Sequence, residues 1–146
     1  MLRDKSLIPL SQQHHNGLAF CVLAGRSLKA DSSAANVATL AKRAVERYEI
    51  ELVNHFEMEE RILFPALSKL PIVEELIAEH RRLEAIVDAL RSSPSIKDLE
   101  DFMTLLQSHI RREETEFFES AQQILSRQTL DELGAQIDAQ AVRVCL

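Results

Sequence analysis

Apolar residues recur every third or fourth position along almost the whole chain, and four of the stripes they form are each broken by histidine. That spacing is the period of an α-helix, and strand-like alternation is missing. The first stripe reads Leu7, Leu10, His14, Leu18, Cys21 and Leu28. The second reads Leu40, Ala44, Tyr48, Leu52, His55, Glu59, Ile62 and Ala66. The third is Val73, Leu76, His80, Leu83, Val87 and Leu90, and the fourth Leu99, Phe102, Leu106, His109, Glu113 and Phe117. Only three glycines and four prolines occur in 146 residues, so little interrupts long helices. Long amphipathic helices joined by short breaks bury their stripes best against one another. The expected fold class is all-α: an antiparallel four-helix up-down bundle with a short C-terminal helix.

The breaks carry recognisable end signals. Helix one is expected from about Leu10 or Ser11 to Lys29. Asp31, Ser32 and Ser33 end it and can cap the next helix. Pro65 falls late in helix two and predicts a kink or an end there. Pro71 suits a first helical turn, and Ser92, Ser93 and Pro94 form the next break. Ser95 with Asp98 resembles a capping box opening helix four. Thr129 with Glu132 predicts the start of the last helix, packed through Leu130, Leu133 and Ile137. The whole chain, 1–146, reads as one domain with its core bundle at about 8–125.

Composition narrows the function classes. The formal net charge is −6, and basic pairs such as Arg81-Arg82 and Arg111-Arg112 sit beside acidic residues, which disfavours a nucleic-acid partner. No apolar run approaches a membrane span, and no signal-peptide pattern opens the chain. The two cysteines, Cys21 and Cys145, form no Cys-x-x-Cys pair, so a thiolate zinc site is not indicated. Cys21 reads as a small core residue and Cys145 as an exposed one. Together these features lead us to expect a cytoplasmic protein with neither nucleic-acid nor membrane partners. The oligomeric state is left open.

The chemistry lies in the interruptions. His14-His15 break stripe one, His55 with Glu59 stripe two, His80 with Glu84 stripe three and His109 with Glu113 stripe four. All five histidines of the chain belong to this set. Residues four apart share a helix face, so such pairs on facing helices can build a box of nitrogen and oxygen ligands inside a bundle. A buried, unpaired carboxylate costs several kcal/mol, and a cation between Glu59 and Glu113 would offset that cost. A lone histidine on an apolar stripe is more often a hydrogen-bonded core residue. Five histidines distributed over four stripes favour a metal site. Neighbours differ by about 100° around a helix, so only one of His14 and His15 can point inward, and both stay candidates. The candidate ligands are His14, His15, His55, Glu59, His80, His109 and Glu113. Glu84 lies off the strict stripe, and Glu60 and Glu114 read as supporting or solvent-facing residues.

Three segments resemble the hemerythrin-like, HHE cation-binding family: Leu52-Val-Asn-His55-Phe-Glu-Met-Glu59-Glu60 followed by Leu63-Phe64-Pro65, then Glu79-His80, then Ser108-His109-Ile-Arg-Arg-Glu113-Glu114. Leu10-Ser-Gln-Gln-His14-His15 is similar to its first-helix element. The resemblance implies a non-haem di-iron centre in which Glu59 and a helix-four carboxylate, Glu113 or Glu114, bridge two metals. Iron is the implied cofactor, as two non-haem ions; a single iron, manganese or zinc is the alternative. Oxygen-carrying members have a His-x-x-x-His pair on helix three, where this chain has His80 and Glu84. That departure favours a centre that binds or senses oxygen, nitric oxide, peroxide or iron over a reversible carrier. The competing readings are a di-iron oxidase or peroxidase-like enzyme and a metal-free helical interaction module. No catalytic side chain is assigned.

Overall fold

The computed structural model describes residues 2–144. Cys145 lies outside them. Five helices follow one another, with no strand among the described residues. Helix α1 is Ile8–Ala30, preceded by a 3-10 turn at Lys5–Leu7. Helix α2 spans 34–67, α3 is Pro71–Ser92, α4 spans 96–124 and α5 is Arg127–Gln140. The first four form the all-α bundle: α1 lies against α2 and α4, and α3 closes the other side against the same two helices. Helix α5 returns across one end and packs on the N-terminal turn. No helix among the described residues is long and apolar enough to cross a membrane.

The caps follow from side-chain chemistry. Ser33 Oγ accepts from the Asn36 amide at 3.3 Å, and Ser95 Oγ from the Asp98 amide at 3.1 Å, each satisfying a donor that the first turn leaves free. The last helix starts earlier than Thr129: Ser126 is its cap and accepts from the Thr129 amide at 3.1 Å. Thr129 and Ser126 bond to each other, so the serine takes the cap and the threonine joins the helix. At Pro65 the helix tightens into a 3-10 turn, Phe64–Leu67, and ends.

Two stripes shift from their expected positions. On α1, Leu18 is 37 % exposed and Gly17 takes the inner place. A Cβ on Gly17 would lie 3.4 Å from Ile110 Cδ1 and 3.7 Å from Leu106 Cδ2, so a side chain larger than Ala there would push α1 away from α4. On α2, Ala66 is exposed and Leu67 is buried. The cause is visible one turn earlier. Helix α2 contains π-helical turns at Tyr48–Leu52 and Glu59–Leu63, and α4 contains one at Glu113–Phe117. A π turn inserts one residue into the helical count, so the inner face moves forward by one position. Adjacent pairs Ile62-Leu63 and Phe117-Phe118 are therefore both buried. Helix α3 has no such turn, and its stripe falls inward as the plain period predicts.

The buried apolar side chains form two blocks. One, with Leu28, Leu40, Leu90 and Phe102, fills the end near the α1–α2 and α3–α4 connections. The other, with Leu10, Leu63, Leu76 and Phe117, fills the end that α5 covers. A layer of histidine and glutamate separates them.

Candidate metal centre

Each of the four bundle helices sends polar side chains into that layer. His14, His55, Glu59, His80, His109 and Glu113 are all at most 4 % exposed. They divide into two overlapping sets, His14, His55, Glu59 and Glu113, and Glu59, His80, His109 and Glu113. Within each set one ligand atom per residue lies within 4.8 Å of every other, so each set is able to hold a metal ion. The two carboxylates belong to both. The imidazoles pair accordingly: His14 and His55 have ring centroids 4.5 Å apart, and His80 and His109 4.9 Å.

All four rings present Nε2 to the box. His55 Nε2 and His80 Nε2 lie 3.3 and 3.2 Å from Glu59 Oε1. His14 Nε2 and His109 Nε2 lie 3.2 and 2.8 Å from Glu113 Oε1. Yet His55 Nε2, His80 Nε2, His109 Nε2, both Glu59 carboxylate oxygens and Glu113 Oε2 make no hydrogen bond. Six such atoms facing one another in a buried layer would each cost on the order of a kcal/mol or more. A hard or borderline divalent cation with imidazole and carboxylate ligands is the chemistry they fit.

The outer nitrogens are all held. His55 Nδ1 is 2.9 Å from Gln13 Oε1, and His80 Nδ1 is 2.7 Å from Glu60 Oε2. His109 Nδ1 is 2.8 Å from Glu79 Oε1, and His14 Nδ1 is 2.7 Å from Glu114 Oε2. Every partner oxygen is an acceptor, so each Nδ1 carries its proton and each Nε2 lone pair is free to ligate. These contacts run around the bundle in one direction. Gln13 of α1 holds the histidine of α2, Glu60 of α2 that of α3, Glu79 of α3 that of α4, and Glu114 of α4 that of α1. The reason is geometric: each holding residue stands next in sequence to a box residue of its own helix. About 100° of rotation turns it from the core toward the neighbouring helix.

Burial drives the protonation of the layer in the metal-free protein. Burial is the largest influence on His80 and, with His109, His55 and Arg81 adding to it against the pull of Glu113, pushes the ring down to about 2, which keeps it neutral. Burial acts the same way on His109, but the carboxylates of Glu113, Glu79 and Glu59 outweigh it and raise the ring to about 10. Glu59 is pushed well above its ordinary value by burial and by the neighbouring Glu113 charge. Glu113 is opposed by burial too, yet His109 and His14 hold it well below. A cation would compete with the proton on His109 for the same lone pair.

The sequence candidates now have places. His14 faces the box, and His15, a step around α1, is exposed, so His15 does not join the set. Glu84 accepts from Arg81 at 2.5 Å on the exposed side of α3, away from the box. Glu113, four residues after His109, is the helix-four carboxylate of both sets, and Glu114 supports His14 instead. Gln13 was not distinguishable in sequence from any other polar helix residue. Aromatic rings wall the layer off: Phe56 stacks on His80 at 3.8 Å and Phe118 on His14 at 5.4 Å.

A family model described as the Hemerythrin HHE cation binding domain matches residues 10–121. No curated protein and no solved structure matches the chain.

Proposed function

The chain belongs to the hemerythrin HHE cation-binding family, and from that premise we propose that it holds a non-haem di-iron centre that binds or senses a small ligand: oxygen, nitric oxide, peroxide or iron itself. The observation that carries this reading is the pair of four-residue sets sharing Glu59 and Glu113. His14 and His55 would hold one ion, His80 and His109 the other, and the two carboxylates would bridge them. Two adjacent iron ions supply redox chemistry and open positions for a small ligand. The chain's own residues do the rest. Gln13, Glu60, Glu79 and Glu114 fix the four imidazoles with Nε2 inward. Phe56, Phe64 and Phe118 exclude water from the layer. The near-complete burial of all six side chains favours a ligand of diatomic size. Glu84, engaged by Arg81, leaves each half of the box with two histidines. That set differs from the His-x-x-x-His pattern of the oxygen carriers and supports sensing over reversible carriage.

Elemental analysis of protein purified without chelator and loaded anaerobically with Fe(II) tests the reading. Two ions per chain and near-ultraviolet charge-transfer bands after oxidation are expected. No more than a trace of metal would overturn it, and one ion per chain would overturn the dinuclear part alone. Spectral titration of the reduced protein with nitric oxide or oxygen separates binding from catalytic turnover of Fe(II) or peroxide.

A further inference from the structure

Three of the four histidines lean on carboxylates, which can only accept a hydrogen bond, so their tautomer is dictated by chemistry. His55 leans on an amide. Glutamine offers an oxygen from one side and an NH2 from the other, so the tautomer of His55 depends on which way Gln13 points. That orientation is fixed from outside the bundle. Beyond α5 the chain runs over α1 and α2. The Val142 amide donates to Asn54 Oδ1 at 2.9 Å, and Asn54 Nδ2 donates to the Gln140 carbonyl at 3.0 Å. Backbone groups cannot exchange roles, so Asn54 is locked. Gln13 Nε2 donates to Asn54 Oδ1 at 2.9 Å and to the Val142 carbonyl at 3.0 Å. Both amide hydrogens are thereby used, and Oε1 is left facing His55 Nδ1. Asn16 Nδ2 adds a longer contact to the Val144 carbonyl at 3.4 Å.

We propose that Gln13 is a positioning residue for His55, and that the docked segment 140–144, acting through Asn54 and Gln13, selects the tautomer that lets His55 ligate. With the segment undocked, Gln13 loses the Val142 carbonyl, Asn54 loses the Gln140 and Val142 groups that orient it, and both amides can turn. An NH2 facing Nδ1 stabilises the other tautomer, whose Nε2–H points into the box and blocks a cation there. The segment is then a switch on one half of the centre. Its release weakens the His14–His55 half and leaves the His80–His109 half, whose partners are all carboxylates, as it was. The metal part of this statement rests on the proposed di-metal reading; the tautomer part does not.

The test uses the imidazole nitrogen resonances of the metal-free protein, compared with a chain ending at Ala139, which lacks both Gln140 and Val142. In the intact chain His55 is expected as the Nδ1–H tautomer. In the shortened chain it is expected to shift toward Nε2–H, with His80 and His109 unmoved. Gln13→Glu supplies an acceptor-only partner, so it should hold the Nδ1–H form, and shortening the chain in that background should change nothing. Circular dichroism confirms that each variant keeps its helix. A second arm follows release of loaded Fe(II) to a chelator: the shortened chain should lose one of its two equivalents about 10–100-fold faster, and Gln13→Glu should restore the slow rate. An intact chain with Nε2–H or doubly protonated His55, or a His55 indifferent to the shortening, would overturn the proposal. A coupled His55 in a chain that binds no metal would overturn the proposed function and leave the tautomer switch standing.

Discussion

The two halves of the histidine–glutamate box contain the same residue types and are held by different means. Around His80 and His109 the supporting groups are Glu60 and Glu79, and each accepts in turn from an arginine: Arg81 on Glu60, and Arg112 on Glu79 at 2.9 Å. Charge sets that half, through local pairs between α2, α3 and α4. Around His14 and His55 the supports are Glu114 and Gln13. Glu114 accepts from Ser11 at 2.8 Å and from Arg3 at 3.3 Å, and Gln13 is oriented by the segment after α5. That half depends on both ends of the chain. A carboxylate fixes its imidazole by what it is, and an amide by where it is held. A symmetric set of side chains thus sits in an asymmetric frame, with one half rigidly charged and the other open to control.

The comparison breaks most completely at the residues the halves share. A metal at roughly a thousandfold above its Kd adds about 4 kcal/mol to the native state. Glu59→Gln should remove most of that increment and empty both halves together. Metal-free protein should melt almost unchanged, because burial and the neighbouring Glu113 charge already push Glu59 well above its ordinary value and so favour its neutral form. Thermal melts with and without Fe(II), alongside elemental analysis, read both quantities. If the variant keeps one ion at wild-type affinity, Glu59 serves only one half and the division drawn above is wrong.

Glu79→Gln sharpens the contrast. It takes the charge from behind His109 and forces one amide oxygen to serve both His109 and Arg112, which now bond separate carboxylate oxygens. Loss of such a supporting group lowers metal affinity about 10–100-fold. Release to a chelator should become biphasic, with the fast phase belonging to the His80–His109 half. Shortening the chain should accelerate the opposite phase. If both changes accelerate the same phase, the halves are not independent.

How much of this was legible in sequence follows the helical count. Helix α3, without a π turn, placed Val73, Leu76, His80, Leu83, Val87 and Leu90 inward as its spacing said. Helix α2 departed at Ala66 because a π turn begins at Glu59, and no residue type announces that turn. His14 and His15 were inseparable because Leu18 lies four residues from one and three from the other; the structure leaves Leu18 exposed and uses Gly17 to bring α1 close to α4. The six box residues were legible because histidine and glutamate are out of place on an apolar stripe. Their supports were less so. Glu60, Glu79, Glu114 and Gln13 each serve a histidine on a different helix, and that pairing exists only after the bundle closes.

Two glycines separate the docking of α5 from the packing of the bundle itself. A Cβ on Gly134 would lie 2.7 Å from Ser6 Cβ and 2.9 Å from Ser6 Cα, which a backbone contact cannot easily relieve. Overpacking of that kind costs about 1–3 kcal/mol, which exceeds the gain of about 1 kcal/mol from replacing a helical glycine with alanine. Gly134→Ala should therefore lower stability and, by lifting α5, speed release from the His14–His55 half. Gly25, inside α1, has nothing within 4 Å of an added Cβ. Gly25→Ala should raise stability by about 0.4–1 kcal/mol and leave both release phases alone. A Gly134→Ala protein with unchanged release would detach α5 from the control of His55.

The smallest effect comes from the contact that holds α5 at its other end. Asp4 accepts from Arg127 at 2.5 and 3.0 Å and from the Ser6 amide at 3.0 Å. The Arg127 guanidinium is the largest influence and, despite some opposition from burial, holds the Asp4 carboxyl well below the usual carboxylate range. An unfolded chain binds that proton near pH ~3.9. Between the folded value and about 3.9 the unfolded state carries more protons, so stability rises with pH across that window. The contribution is complete above about pH 5 and fades as pH falls through the folded value. In Asp4→Asn the fading contribution is absent, so the two proteins should differ most near neutral pH and begin to converge only below about pH 3.9. Denaturant unfolding with chelator present isolates this pair, because the protonation of the box is then common to both proteins. Arg127 is fully exposed to solvent screening, which keeps the difference small. Its size relative to that of Gly134→Ala measures how far α5 is held by packing on Ser6 and how far by charge. A gap that stays constant down to pH 3 would mean that the asparagine fails as a cap, and that the Arg127 pair contributes nothing to the docking of α5.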